Sequence, residues 1–262
     1  SRVYWNKYSS IFEKRYQIMI KYFILISGLL FAGTPTVESI QDSLITRFNR
    51  IEDYSVKIKV SVKMTGLRMP RKKIKLYYKA PDKVKVKSRG FAILPKTGLS
   101  GSPKQYLKML DSVRVSGNDV LNGRNHWILF GSVNPDSIDI DLDEKDFPNI
   151  KMRLWVDTES WVISKAETVI DSQKVFKLIS EYDEVDGVFL PIKTILSIGF
   201  KGMGKWSMRD PFGGPGADRQ EIEDLAKDSG INPEKKEFAG TVVMEFSKYK
   251  INQGLDDSLF EE

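Results

Sequence analysis

The sequence contains no cysteine and only one histidine among its 262 residues. The absence of cysteine excludes disulfides, thiolate metal sites, a cysteine nucleophile and a lipid-bearing N-terminal cysteine. A catalytic triad or a histidine metal site would depend on His126 alone. Because His126 adjoins Trp127 within an expected strand, a structural role is favoured over a role as a catalytic base.

Excess charge is also scarce outside the N-terminal segment. The formal net charge is +6, but residues 1–33 hold five basic residues and one acidic residue. The remaining chain has 36 basic and 34 acidic residues and is nearly neutral. This balance argues against a nucleic-acid partner. The glycine-rich segments lack the Gly-Lys-Ser/Thr sequence of a phosphate-binding loop, so a nucleotide site is not expected.

An acidic segment provides the only sequence pattern that resembles a metal site. Asp139, Asp141 and Asp143 have the spacing of a calcium-binding loop. However, Glu144 stands where that loop requires glycine, and Ile150 stands where it requires glutamate. We therefore interpret the segment as a solvated acidic turn. The sequence predicts no metal site, no cofactor and no catalytic constellation, and hence a protein that is not an enzyme.

A long apolar run occurs at residues 22–32 (YFILISGLLFA), directly after Lys21. Its length matches the roughly 7–15 residues of a secretory signal and falls short of the roughly 20 residues of a spanning helix. We therefore predict translation from Met19, a signal segment that ends near Gly33, and a periplasmic mature domain at residues 34–262. An uncleaved membrane anchor is the alternative.

Apolar and basic residues alternate along much of the remaining sequence. In residues 54–65 (YSVKIKVSVKMT), Val56, Ile58 and Val60 fall on one face, while Lys57 and Lys59 fall on the other. The pattern repeats at residues 73–78 and 83–87. Because side chains alternate between the two faces of a strand, these segments predict an antiparallel sheet with one apolar face.

The other elements also follow from periodicity and turn residues. Helical spacing predicts a helix at residues 36–50, and a second, short helix begins at Ser102. The Asn122-Gly123 pair predicts a tight hairpin. Further expected elements are a short strand at 91–94, a meander of strands at 150–156, 161–170, 174–182 and 188–200, a helix at 219–229 and a last strand at 238–251.

Roughly ten strands and a few short helices indicate a mainly β fold of the α+β type. An antiparallel sheet of that size curls. We therefore expect an unclosed half-barrel whose apolar concave face is covered by short helices. A segment rich in glycine and proline at residues 201–237 interrupts the last strands as an insertion.

Three segments resemble bacterial outer-membrane lipoprotein-sorting proteins, the LolA/LolB-like family that includes the periplasmic stress sensor RseB. They are residues 154–157 (LWVD), 162–167 (VISKAE) and 180–191 (SEYDEVDGVFLP). The resemblance implies an unclosed antiparallel barrel with helices at its mouth, an apolar cavity, and carriage or sensing of acyl chains in the periplasm without covalent chemistry. The insertion at 201–237 departs from the compact carrier pattern.

The apolar strand faces supply the candidate lipid-binding residues. We expect them to line the inside of the curled sheet, with two aromatic residues of the insertion near its rim. The inner residues are Val60, Val62, Leu76, Val86, Leu129, Leu154, Val156, Leu178 and Met244, and the rim residues are Trp206 and Phe212. The alternative is that the apolar face forms a filled core.

The basic strand faces allow two interpretations. Residues 54–89 contain thirteen basic residues and a single acidic residue, Asp82. A solvated outer surface is favoured; the alternative is a patch for anionic head groups or an acidic partner, with transient contact at a membrane surface.

For the function of the whole protein, the leading hypothesis is a carrier of the acyl chains of lipoproteins or phospholipids. The alternatives are an RseB-like sensor that acts through an inner- or outer-membrane protein partner, and a structural envelope subunit.

Overall fold

The computed structural model describes residues 34–64, 67–68, 70–88, 101–134, 137, 149–170, 172–201 and 237–261. The chain divides into two compact units, Ser1–Pro35 and Thr36–Glu262, and the second unit contains the sheet. The expected signal segment, the strand at 91–94, the acidic turn and the helix at 219–229 lie outside the described residues. Within those residues, no helix is long and apolar enough to cross a membrane.

The part of the chain that the structure describes contains eleven strands, which form one antiparallel sheet. They are β1 (Asp53–Met64), β2 (Leu67–Arg68), β3 (Lys72–Lys79), β4 (Lys83–Lys87), β5 (Leu110–Leu121), β6 (Arg124–Val133), β7 (Ile150–Asp157), β8 (Ile163–Ile170), β9 (Gln173–Val185), β10 (Val188–Lys201) and β11 (Glu237–Ile251). Their spatial order is β4-β3-β1-β11-β10-β9-β8-β7-β6-β5, and β2 pairs with β1 outside this path. Because β4 and β5 end the order and do not pair with each other, the sheet is the unclosed half-barrel that the sequence predicts.

Two tight hairpins depend on residues that adopt positive φ. Asn122 and Gly123 have φ values of 52° and 78° between β5 and β6, which confirms the predicted turn. Asp186 and Gly187 have nearly the same values, 50° and 79°. The second turn therefore needs only two residues, and β9 continues to Val185, beyond the end at residue 182 that the sequence indicated.

Trp161 does not begin a strand, contrary to the sequence-based expectation. It lies in the turn that follows β7, with a φ of 52°, and β8 begins two residues later. The carboxylate of Asp157 accepts the N–H groups of Glu159 and Ser160, at 2.9 and 2.8 Å. The Trp161 N–H donates to the Asp157 carbonyl oxygen at 3.1 Å. These local bonds favour a closed turn over an extended strand.

Two α-helices, α1 (Val37–Phe48) and α2 (Pro103–Lys108), lie within the described residues. The hydroxyl of Thr36 caps α1, because it accepts the Ser39 N–H at 3.2 Å. The side chains of Ile40, Leu44 and Phe48 are buried at a spacing of four residues, which places them on one helix face. Both helices occur where the sequence predicts them.

The end of the chain is fastened to the beginning of β1. The buried carboxylate of Asp53 accepts the backbone N–H groups of Gln253, Gly254 and Leu255, at 2.9, 2.8 and 3.0 Å. The ammonium group of Lys79 donates to the Leu255 carbonyl oxygen at 2.7 Å. These hydrogen bonds therefore attach residues 253–255 to the start of β1 and the end of β3 without adding a strand.

Candidate functional site

The apolar face of the sheet carries two separate clusters of buried side chains. The first cluster is formed mainly by β1, β3, β10 and β11, and the second by β5 to β8 with the two helices. The predicted lining residues divide between them. Val60, Val62, Leu76 and Met244 belong to the first cluster, and Leu129, Leu154 and Val156 belong to the second. Val86 packs against the first cluster, and Leu178 packs against both.

The predicted inner residues thus lie on the apolar face, but the structure does not gather them around one open hollow. Leu76, Leu129 and Leu154 have no exposed surface, because neighbouring side chains pack over them. Their role in lipid binding stays a prediction. The predicted rim residues Trp206 and Phe212 lie outside the described residues.

Strand β9 lies between the two clusters and carries hydroxyl groups on its inner side. The hydroxyls of Ser180 and Thr194 are buried and 2.9 Å apart. The Tyr182 hydroxyl donates to the Ile163 carbonyl oxygen at 3.1 Å. Burial raises the pKa of Tyr182, so its hydroxyl remains protonated at neutral pH. The strand between the two apolar clusters therefore carries hydrogen-bonded hydroxyl groups beside Leu178, which packs against both clusters.

Helix α1 lies across this boundary. Ile40 and Leu44 belong to the second cluster, whereas Phe48, one turn further along, belongs to the first. The Tyr106 side chain of α2 is also part of the second cluster. One short amphipathic helix therefore covers both halves of the apolar face.

A narrow pocket opens beneath the C-terminal end of α1, where the two clusters meet. Its volume is about 20 Å³, which is room for about one water molecule and far below the about 300–1,000 Å³ of ligand pockets. Its walls are Leu44, Arg47, Phe48, Gly101, Pro103, Trp161, Val162, Ile163, Tyr182 and Phe189. Sequence reasoning missed this site, because its residues come from four separate segments that no strand alternation connects.

Among the described residues in the wall of this pocket, Arg47 is the only charged one. Its Nε atom is buried and has no hydrogen-bond partner among the described residues. Its guanidinium group lies 5.4 Å from the centre of the Phe189 ring. An arginine in the last turn of a helix is favourable for the helix dipole, but that position alone does not require Nε to be buried. The pocket is therefore apolar and aromatic, with a single cation.

His126 is buried and fully hydrogen-bonded, as expected for a structural histidine. Its Nδ1 atom is 2.9 Å from the Arg124 carbonyl oxygen, and its Nε2 atom is 3.0 Å from the Ser164 hydroxyl oxygen. Because a carbonyl oxygen only accepts, Nδ1 donates to the Arg124 carbonyl oxygen. The Asp157 carboxylate is nearest to Nε2, at 3.7 Å. In a catalytic triad the aspartate contacts Nδ1 instead, so the Asp157 carboxylate does not have the position that orients a catalytic base.

The outer face of the sheet carries the predicted lysines. Lys57, Lys75 and Lys87 lie directly opposite one another on β1, β3 and β4. The aromatic ring of Tyr77 contacts two of them, with the Lys75 and Lys87 ammonium groups 4.5 and 5.5 Å from the ring centre. In the neighbouring row, Lys59 pairs with Glu245 at 3.0 Å. The basic side chains thus face away from the apolar clusters.

Solved structures resemble this chain in fold at low sequence identity. No protein-family model and no curated protein matches the sequence. The solved structure of a DUF1329 family protein from Desulfovibrio piger has a TM-score of 0.51 at 13% identity, and the match covers 87% of this chain and 98% of that chain. For a LolA superfamily protein from Nitrosomonas europaea, the TM-score is 0.51 at 11% identity, with coverage of 87% and 99%. The chain therefore has the unclosed half-barrel fold of these DUF1329 and LolA-superfamily structures, as its sequence resemblance predicts.

Proposed function

We propose that this protein binds and carries lipid acyl chains, non-covalently, between α1 and the apolar face of its sheet. The observation that carries the proposal is the position of α1, which covers two apolar clusters and leaves a pocket where they meet. The fold of a LolA superfamily protein supports the same function. The guest would be an acyl chain of a lipoprotein or of a phospholipid.

The pocket is too narrow for a whole acyl chain, so binding requires α1 to move as a cover. Three buried side chains hold α1 on the sheet: Ile40, Leu44 and Phe48. Exposing each would cost about 1.5–3 kcal/mol, whereas each methylene of a guest gains about 0.8 kcal/mol. Roughly ten buried methylenes therefore offset the release of the helix. An acyl chain of ordinary length can open the cover, and a much shorter chain cannot.

The proposed place of action is the periplasm, with exchange partners at the inner or outer membrane. The apolar run at residues 22–32 supports export. A carrier must receive and release its guest, so we expect transient contact with a membrane surface or with a membrane protein. The exposed lysine row of β1, β3 and β4 would favour approach to anionic head groups.

Extraction of lipid from the purified protein tests the proposal, with mass spectrometry as the measurement. A second test uses a brominated fatty acid, which quenches a tryptophan only at close contact. We expect quenching in the parent protein and a smaller effect in Trp161→Phe, since Trp161 lines the pocket.

Trp155→Phe is the matched control for the quenching test. The Trp155 indole N–H donates to the Asp119 carboxylate at 3.0 Å, and the Lys165 ammonium lies 3.7 Å from its ring centre, so this ring is engaged away from the pocket. Replacement of Trp155 by Phe should therefore leave the quenching by a pocket-bound chain unchanged. A protein that carries no lipid and shows no quenching would contradict the proposal, and a stable complex with a protein partner would then distinguish a sensor from a structural envelope subunit.

A further inference from the structure

We propose that Arg47 binds the anionic head group of the guest, a carboxylate or a phosphate, while the acyl chain enters the apolar space beside it. This inference rests on the proposed function and specifies the class of lipid: an anionic amphiphile rather than a neutral one. The site is the pocket beneath the C-terminal end of α1.

The first argument concerns the unpartnered nitrogen of Arg47. A buried donor without an acceptor costs free energy, and the cost is larger when the donor is charged. No described residue accepts from the buried Nε atom. An anion that enters the pocket when α1 moves off the sheet would supply that acceptor. Arginine suits this role because its planar fork of N–H groups matches the oxygens of carboxylates and phosphates.

The second argument is that the described walls around Arg47 carry no acidic residue. Among the described residues, no carboxylate in the pocket therefore competes with an incoming anion. The Tyr182 hydroxyl is already engaged with the Ile163 carbonyl oxygen. The guanidinium carbon of Arg47 lies 5.4 Å from the centre of the Phe189 ring, a cation–π contact that does not use the N–H donors of the group.

The third argument concerns the position of the charge relative to the apolar clusters. Arg47 precedes Phe48 of the first cluster and follows Leu44 of the second cluster by three residues. A head group held at Arg47 would therefore direct the attached chain toward the boundary of both clusters. A neutral lipid would gain the same apolar contacts but no partner for the cation.

The test compares a fluorescent fatty acid, cis-parinaric acid, with its methyl ester at pH 7. The two ligands have the same chain and differ in charge. We expect the parent protein to bind the acid about tenfold more tightly than the ester, because a charge-assisted hydrogen bond is added. Arg47→Met should weaken binding of the acid about tenfold and leave binding of the ester unchanged. Arg47→Lys should retain part of the preference.

Arg50→Met is the matched control, since Arg50 follows the same helix end but is exposed and does not line the pocket. It should keep the full preference for the acid. Competition by lysophosphatidic acid and by a neutral monoacylglycerol then distinguishes a phosphate from a carboxylate. Stronger displacement by the phosphate lipid than by cis-parinaric acid itself would identify a phosphate head group.

The outcomes separate this inference from the proposed function. If the parent protein binds neither the acid nor the ester, the proposed function is wrong. If it binds both equally, only the role of Arg47 is wrong. Binding of the acid and of the ester by the parent protein is compared without any variant. This comparison therefore tests the inference even if Arg47→Met melts at a lower temperature. Retention of the preference for the acid in folded Arg47→Met also overturns the inference.

Discussion

Among single residues, Asp157 holds the turn between β7 and β8. Burial opposes its ionisation, but the N–H groups of Ser160 and Glu159 and the Arg124 guanidinium outweigh that effect, so the pKa of Asp157 is lowered. Asp157→Ala leaves these donors without their acceptor and should lower the free energy of unfolding by about 3 kcal/mol. Urea denaturation measures the change. Glu159→Gln is the control and should cost less than about 1 kcal/mol, because Glu159 is exposed and 3.4 Å from Arg124.

A second single-residue prediction decides whether the apolar face is filled around Leu76. This side chain has no exposed surface and faces Val56 and Val86 on the adjacent strands. We therefore expect Leu76→Glu to unfold the protein, at a cost of several kcal/mol, as seen by thermal melting. Lys75→Gln, one residue away on the outer face, should melt near the parent temperature. A folded Leu76→Glu protein that has lost only lipid binding would indicate a water-filled hollow instead.

At the scale of elements, the cap of α1 should control how readily the proposed cover opens. The Thr36 hydroxyl accepts the Ser39 N–H at 3.2 Å, and its removal in Thr36→Ala should destabilise the helix by about 1 kcal/mol. If α1 is the cover, guest exchange should become about five times faster in stopped-flow fluorescence. Ser43→Ala removes an exposed hydroxyl from the middle of the same helix and should leave the rate unchanged. Unchanged exchange in Thr36→Ala would mean that guests enter elsewhere.

At the scale of the whole molecule, several carboxylates make the fold sensitive to acid. Besides Asp157, the pKa of Glu167 is lowered, because Lys165 and Lys174 outweigh the opposing effect of burial. The pKa of Asp257 is lowered by hydrogen bonds from Lys79 and Lys83. The unfolded chain therefore binds more protons than the folded protein in acid. Stability is fully present above about pH 5 and is lost as the pH falls through the lowered pKa values.

We expect the melting temperature to fall steadily between about pH 5 and pH 3, as measured by circular dichroism. High salt should weaken the contribution of the exposed Asp257 pairs more than that of buried Asp157. Asp157→Asn should flatten the dependence, since the amide does not titrate. A melting temperature that does not change over this range would contradict the assignment of these carboxylates as stabilising groups.

Much of the fold could be predicted from local sequence patterns. The alternation at Val60 and Leu76 identified which strand faces are apolar, because successive side chains in a strand point to opposite sides. The spacing of Ile40, Leu44 and Phe48 identified α1 for the corresponding reason in a helix. Local patterns were less reliable at the ends of elements. They placed Trp161 in a strand, whereas the structure places it in a turn. The turn depends on a hydrogen bond from Trp161 to Asp157, and hydrophobic periodicity does not report such bonds.

The sequence by itself determined the mainly β class, the two faces of the sheet and the positions of the helices, since these depend on residues close together in the chain. The tertiary structure alone decided that the apolar face divides into two clusters at β9, and that α1 bridges them. It also brought Arg47 against Phe189, at 5.4 Å, in a pocket built from distant segments. The physical reason is strand order: β1 pairs with β11, and no periodicity within either strand specifies that partner.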